Sequence, residues 1–258
     1  MNKTILLILT ALFFISTPLF ASPRSESPSA AAQRQSITIA AAASLRNVYE
    51  NELIPLFQRM NPNITVSGVY DASGRLQNQI VAGLPVDIFM SASPLEMDFL
   101  AERNLIDRSS VQVFLRNRVV LIKSTGIPTQ VTGFENVLSA NMIAVGNPES
   151  VPAGRYAREV FTSLGIWEDV LAKASLATNV TEVLFWVAEG NAEVGVVYKS
   201  DAVSDNRVEI IDTAVEEISA SYPVGITSNS QHRAAAQAFI NFLSSEESLA
   251  IFRRHGFD

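Results

Sequence analysis

From about Ser36 onward, short apolar runs alternate with longer segments whose apolar residues recur at helical spacing. This alternation restricts the fold more than any other feature of the chain. Residues 36–43 (SITIAAAA) read as a buried strand. Ser44 then opens a segment with Leu45, Val48, Tyr49, Leu53, Leu56, Phe57 and Met60 on one face, the 3.6-residue period of a helix packed on a sheet. Pro55 should kink that helix or end its regular part, because it has no N–H and crowds the preceding turn. Asn61-Pro62-Asn63 signals a turn, 64–70 a second strand, and Ser73-Gly74 the start of a helix that Gly83 stops. Further strands are expected over 86–90, 142–145, 194–198 and 209–211. Helices are expected over 94–102, 155–164, 178–187, 232–243 and 246–254. Such alternation implies an α/β architecture with largely parallel sheets.

Two extended segments stand apart. Residues 111–123 (VQVFLRNRVVLIK) are longer than an ordinary strand, and Arg116-Asn117-Arg118 interrupts them, which suits a crossing between two sheets. Residues 221–227 (SYPVGIT) are a candidate for the return. The expectation is two lobes, the first from 36–115 plus 223–258 and the second from 116–222.

Residues 1–21 read as a secretory signal. Lys3 supplies the charge, 5–15 the apolar run, and Pro18-Leu19-Phe20-Ala21 the small-residue exit, with cleavage expected near Ala21. The run is too short for a spanning helix, which wants roughly 20 apolar residues. Residues 22–35 are rich in Ser, Pro, Ala and Gln without periodicity and read as a disordered tether. The chain has no cysteine, which removes a lipid-anchored cysteine, disulfides and thiolate metal sites. A periplasmic location is expected.

The net charge is −7, and losing the signal and tether removes Lys3, Arg24 and Arg34 against Glu26 alone. A surface that acidic argues against nucleic acid as a partner. Catalytic signatures are sparse: two histidines, His232 and His255, and no G-x-S-x-G, H-E-x-x-H or P-loop pattern. An enzyme is the weaker class.

Another pattern recurs instead. Ser44, Ser73, Ala153 and Val180 each stand at the start of an expected helix that follows a strand or turn. In open α/β sheets such starts gather at the carboxyl ends of strands, where ligands bind. Free N–H groups of a first helical turn, with the positive end of the dipole, attract an anion without any cationic side chain. Each start taken singly is an ordinary helix N-terminus; four of them in an exported two-lobed chain point toward an anion.

Several motifs carry a family likeness. Ala41-Ala42-Ala43-Ser44-Leu45, Ser73-Gly74-Arg75-Leu76 and Leu84-Pro85-Val86-Asp87-Ile88-Phe89 resemble the periplasmic molybdate-binding proteins of ABC transporters. So do Val151-Pro152-Ala153-Gly154-Arg155-Tyr156-Ala157 and Val197-Tyr198-Lys199-Ser200-Asp201-Ala202, the most specific elements, in a likeness covering 37–257. The resemblance implies a type II periplasmic-binding fold with a ligand cleft between two lobes. It implies Ser44 and Ser73 as donors from the first lobe, through hydroxyl and backbone N–H. Ala153 and Val180 would donate backbone N–H groups from the second, and Tyr198 its phenol. The ligand would be molybdate or tungstate, held through its oxygens, with no cofactor and no directly coordinated metal. The partners implied are this oxyanion and a membrane permease, for a chain expected to be monomeric.

Asp71 and Arg75 depart from that family pattern; either Asp71 points outward or pairs with Arg75, or it faces the cleft and weakens anion binding. Arg46, Arg75 and Arg155 each lie two residues after a proposed donor, where cations oppose the helix dipole. They either ring the cleft mouth and steer anions or are solvated helix faces. The rival readings are a same-fold binding protein for sulfate, another oxyanion or ferric iron, an exported enzyme on this scaffold, and the sensing domain of a regulator.

Overall fold

Among the described residues nine strands carry the architecture: β1 (Gln35–Ala42), β2 (Ile64–Asp71), β3 (Ile88–Met90), β4 (Gln112–Ser124), β5 (Ile143–Gly146), β6 (Ala174–Ala177), β7 (Val194–Tyr198), β8 (Val208–Thr213) and β9 (Ser219–Ile226). The computed structural model describes residues 34–258, so the expected signal and the tether up to residue 33 lie outside the described residues. The strand order is β2-β1-β3-β9-β4-β7-β5-β6, with β8 also paired to β4.

The long strand β4 is the crossing. It pairs with β9 from Gln112 to Arg118, then with β7 from Val119 to Lys123 and with β8 from Val120 to Ser124. One strand therefore belongs to two halves of the sheet, and it changes partners just past the Arg116-Asn117-Arg118 interruption. The return differs from expectation. Strand β9 pairs only with β3 and the first part of β4, so the chain comes back ahead of it, in residues 214–218. The sheet is also less parallel than alternation alone implies. β1–β2, β1–β3, β5–β6 and β5–β7 are parallel, while every pairing of β4 or β9 is antiparallel. The antiparallel register is what two crossing strands bring when they are inserted between parallel units.

The helices are α1 (Arg46–Val48), α2 (Ile54–Met60), α3 (Ser73–Val81), α4 (Pro94–Glu102), α5 (Pro152–Ser163), α6 (Trp167–Lys173), α7 (Val180–Ala188), α8 (Lys199–Val203), α9 (Arg233–Leu243) and α10 (Glu246–Arg254). Pro55 does not end its helix. A 3-10 turn (Ala43–Leu45), α1, a π-helical stretch (Tyr49–Leu53) and α2 follow without a break. The widened π turn lies directly ahead of Pro55, where the missing N–H and the ring would otherwise disrupt a regular α turn. Helix α6 and strand β6 were not foreseen. Strand β6 is a four-residue edge with only Ala177 fully buried, too short to show a period.

The core runs through both halves. Ile37, Ile39, Leu45 and Tyr49 on one side and Val119, Val145, Val183 and Val196 on the other belong to one buried cluster. A smaller cluster under α3 and α4 joins Leu76, Ile80, Phe89, Met97 and Leu100. Full burial of each such side chain contributes about 1.5–3 kcal/mol. The consequence for function lies in where the strands end. Strands β1, β2, β5, β6 and β7 lead respectively to Ser44, Ser73, Ala153, Val180 and Tyr198.

Candidate functional site

These five residues line one cavity, together with Ala42, Ala72, Ala92 and the Val151-Pro152 dipeptide. The space inside it not filled by atoms, open solvent included, is about 210 Å³, which leaves no room for a drug-sized organic ligand.

The cavity wall is rich in hydrogen-bond donors. The residues preceding the helical turns at Ala43, Ser73 and Pro152 are Ala42, Ala72 and Val151, none of which caps through its side chain. Helix N-termini normally recruit Ser, Thr, Asp or Asn to satisfy their first N–H groups. At α7 the Asn179 side chain does cap, but it accepts from Glu182 N at 3.0 Å and leaves the Val180 N–H alone. Pro152 has no N–H, so Ala153 presents the first free amide of α5.

Three hydroxyls join these amides. Ser73 is wholly buried, and its Oγ accepts the Ala92 N–H at 3.0 Å, which leaves its own proton to donate elsewhere. Ser44 Oγ lies 2.9 Å from the Tyr222 hydroxyl. Tyr198 is 1% exposed, and its hydroxyl has no hydrogen-bond partner. Burial, with Tyr222, Tyr156 and Asp201 nearby, pushes the Tyr198 phenol well above its ordinary pKa, so it is a neutral donor at pH 7. An unpaired buried hydroxyl costs about 1–3 kcal/mol, a cost a fold retains where a ligand relieves it.

Among the described residues, no carboxylate lines the cavity. Asp201, three residues after Tyr198, is buried and accepts the Tyr198 backbone N–H at 3.1 Å. Asp71, the departure noted above, turns to Arg75 at 3.2 Å and is not part of the wall.

The Bacterial extracellular solute-binding protein family model matches residues 37–258. This chain belongs to that family. Among relatives of the solute-binding protein, a putative ABC transporter substrate-binding lipoprotein, YvgL, of Bacillus subtilis is 35% identical, over 87% of each chain. The molybdate-binding protein ModA of Escherichia coli is 33% identical over 88% of this chain and 91% of its own. The solved substrate-binding domain of a putative molybdenum ABC transporter from Clostridium difficile superposes with a TM-score of 0.68 at 36% identity, covering 87% of this chain and 98% of that one.

The solute-binding protein has contacts around its cavity that sequence reasoning did not foresee. Tyr222 and Asn117, both fully buried, stand behind Ser44. Glu96 on α4, also buried, is ion-paired with Arg155 on α5, which joins the two halves of the sheet beside the cavity. The Gly74 N–H reaches the Ser150 carbonyl at 3.1 Å across the same gap. Neither contact has a local signature, because its partners are far apart in the chain.

The arginine ring is therefore incomplete. Arg155 is committed to Glu96 and Arg75 to Asp71, while Arg46 lies over the Tyr70 ring at 5.4 Å. Arg46 and Arg75 do share a groove beside the cavity with Asn179 and Thr181.

Burial pushes the Asp201 carboxyl up to about 7, against the smaller opposing effect of the Tyr198 N–H it accepts. The folded protein thus holds a proton there that the unfolded chain releases near pH 4. Stability falls as pH rises through that window and levels off above about 7, by at most about 1.4 kcal/mol per pH unit crossed. Asp201→Asn keeps an acceptor for the Tyr198 N–H and removes this slope. Urea midpoints of both proteins at pH 5 and pH 8 should show a gap that shifts in the variant's favour at pH 8. Parallel curves would refute it.

Proposed function

We propose that this protein is the substrate-binding component of an ABC importer, capturing molybdate or tungstate in the cavity described above. The observation that carries the reading is the Tyr198 hydroxyl, fully buried at the cavity wall without a partner. Ser44 and Ser73 donate from the half that holds β1 and β2. Ala153 and Val180 donate backbone N–H groups from the half that holds β5 and β6, and Tyr198 its phenol. A dianion among neutral donors loses water but gains several charge-assisted hydrogen bonds in a site of low dielectric. The ligand named for the Escherichia coli relative supports the same class.

The donor set also sorts ligands. Hydrogen phosphate brings a hydrogen that needs an acceptor, and a wall without carboxylates offers only hydroxyl oxygens; a hydrogen left unpaired there costs about 1–3 kcal/mol. Sulfate and molybdate are both fully ionised, so cavity size separates them. Ferric iron wants several anionic or imidazole ligands, and Tyr198 alone in the wall could serve. We read the chain as a non-enzymatic, monomeric periplasmic protein without a cofactor, with no nucleic-acid partner. Its two lobes, one built from the chain up to the partner change in β4 and from β9 onward and the other from the stretch between, close on the ion and present it to a membrane permease.

Calorimetric titration of the protein from about Ser36 onward, with molybdate, tungstate, sulfate and phosphate, is the test. One-to-one binding of molybdate and tungstate, with sulfate far weaker and phosphate weakest, is the expected result. Preference for sulfate, or no binding of any oxyanion, would reject it.

A further inference from the structure

Behind Ser44 lies a buried chain of side-chain hydrogen bonds whose direction can be worked out. Asn117 on β4 is wholly buried, and its Oδ1 accepts the Ser200 backbone N–H at 3.4 Å. A backbone N–H can only donate, so this contact fixes which end of the amide is oxygen. The Asn117 Nδ2 then points the other way, 2.8 Å from Ser200 Oγ and 3.3 Å from Tyr222 Oη, one proton for each. An amide nitrogen cannot accept, so Tyr222 accepts from Asn117 and keeps its single proton. The partner left for that proton is Ser44 Oγ, 2.9 Å away. Ser44 in turn cannot direct its own proton at Tyr222. Burial also holds the Tyr222 phenol above its ordinary pKa, so the relay stays protonated at neutral pH.

We infer that Asn117 and Tyr222 are specificity-determining positioning residues: the chain Ser200, Asn117, Tyr222, Ser44 forces the Ser44 hydroxyl to present its proton to the cavity. On the same half of the sheet the Ala92 N–H donates to Ser73 Oγ and likewise leaves its proton free for the cavity. Both serines then act as donors by construction, although a free hydroxyl could turn either way. This proposal rests on the oxyanion reading above and deepens it. Exclusion of protonated anions arises from polarity imposed behind the wall, as well as from the residues in it.

Tyr222→Phe tests the relay with little change of shape. Without the phenol, nothing occupies the inward lone pair of Ser44 or holds its proton toward the cavity, so hydrogen phosphate gains an acceptor while molybdate loses an enforced donor. Two probes report on this at pH 8. One is inorganic phosphate, and the other is monofluorophosphate, a dianion of similar shape with P–F in place of P–OH. The unaltered protein should bind monofluorophosphate on the order of tenfold or more tighter than phosphate. In Tyr222→Phe that gap should narrow by about tenfold, with molybdate weakened several-fold.

A double-mutant cycle gives the second readout. If Tyr222 acts through Ser44, Tyr222→Phe changes nothing further in a Ser44→Ala background. A fluorophosphate gap equal in the two proteins, or strictly additive effects in the cycle, overturns the relay. A gap absent from the unaltered protein overturns it without any variant. Failure of the unaltered protein to bind any oxyanion sinks the functional reading and the relay together, whereas oxyanion binding with an unchanged gap sinks the relay alone.

Discussion

Tyr198→Phe is expected to weaken molybdate binding by about 10- to 100-fold, because a hydrogen bond to a charged partner contributes about 1.5–3 kcal/mol. The ligand-free protein should lose no stability. Its hydroxyl has no partner to forfeit, and the residue is only 1% exposed, so removing the oxygen relieves a buried polar atom without opening a cavity. The ring keeps its edge contacts with Tyr156 and Tyr198's other neighbour Tyr222, at centroid distances of 6.4 and 6.0 Å. The two effects have opposite signs, which separates a ligand donor from a structural tyrosine. Melting curves with and without saturating molybdate read both at once, since ligand stabilisation scales with the logarithm of concentration over Kd. A ligand-free protein destabilised by more than about 1 kcal/mol, with affinity unchanged, would mean that the phenol is bonded within the fold.

Much of the site was legible because its chemistry is local. Ser44, Ser73, Ala153 and Val180 stand where strand-to-helix punctuation can be read from neighbouring residues, and the cavity brings all four together. What made the helix starts informative was only half visible. The sequence displays Ala42, Ala72 and Val151 just ahead of them, positions where a capping side chain is usual. Missing caps are thus the local signal. Tyr198 carries no such signal and came from family likeness alone.

The unforeseen features are long-range. Asn117 sits within the Arg116-Asn117-Arg118 interruption of β4, which reads as polar punctuation in sequence, yet it is wholly buried and bonded to Ser200 and Tyr222. Its burial follows from β4 crossing between the halves at that point, which periodicity cannot express. The same holds for Glu96 and Arg155, each an ordinary helix-surface charge until α4 and α5 are brought face to face. Asp71 and Arg75, four residues apart on adjoining elements, could be paired from sequence because their spacing is local.

Gly154→Ala should be among the most damaging single-methyl changes available to this protein. A Cβ at that position would lie 1.9 Å from the Gly146 carbonyl oxygen and 2.5 Å from its carbon, with the Asn147 carbonyl carbon at 3.1 Å. All three are backbone atoms at the end of β5, so no side-chain rotation makes room. Helix α5 must retreat, and its first turn carries both the Ala153 amide and Arg155, the partner of Glu96. The gain in helix propensity, about 1 kcal/mol, does not offset overpacking, which costs about 1–3 kcal/mol or more. We expect a net loss of at least about 2 kcal/mol in urea unfolding and molybdate binding weakened by about 100-fold, as for a donor misplaced by about an ångström. Gly126→Ala is the control. Its nearest neighbour would be 4.0 Å away, and a change within about 0.5 kcal/mol is expected there. If Gly154→Ala folded and bound like the unaltered protein, the tight contact between α5 and β5 would not be what sets the Ala153 amide. If it folded normally but bound weakly, the glycine would act on the cavity alone, and the approach of α5 would be a requirement of binding and not of folding.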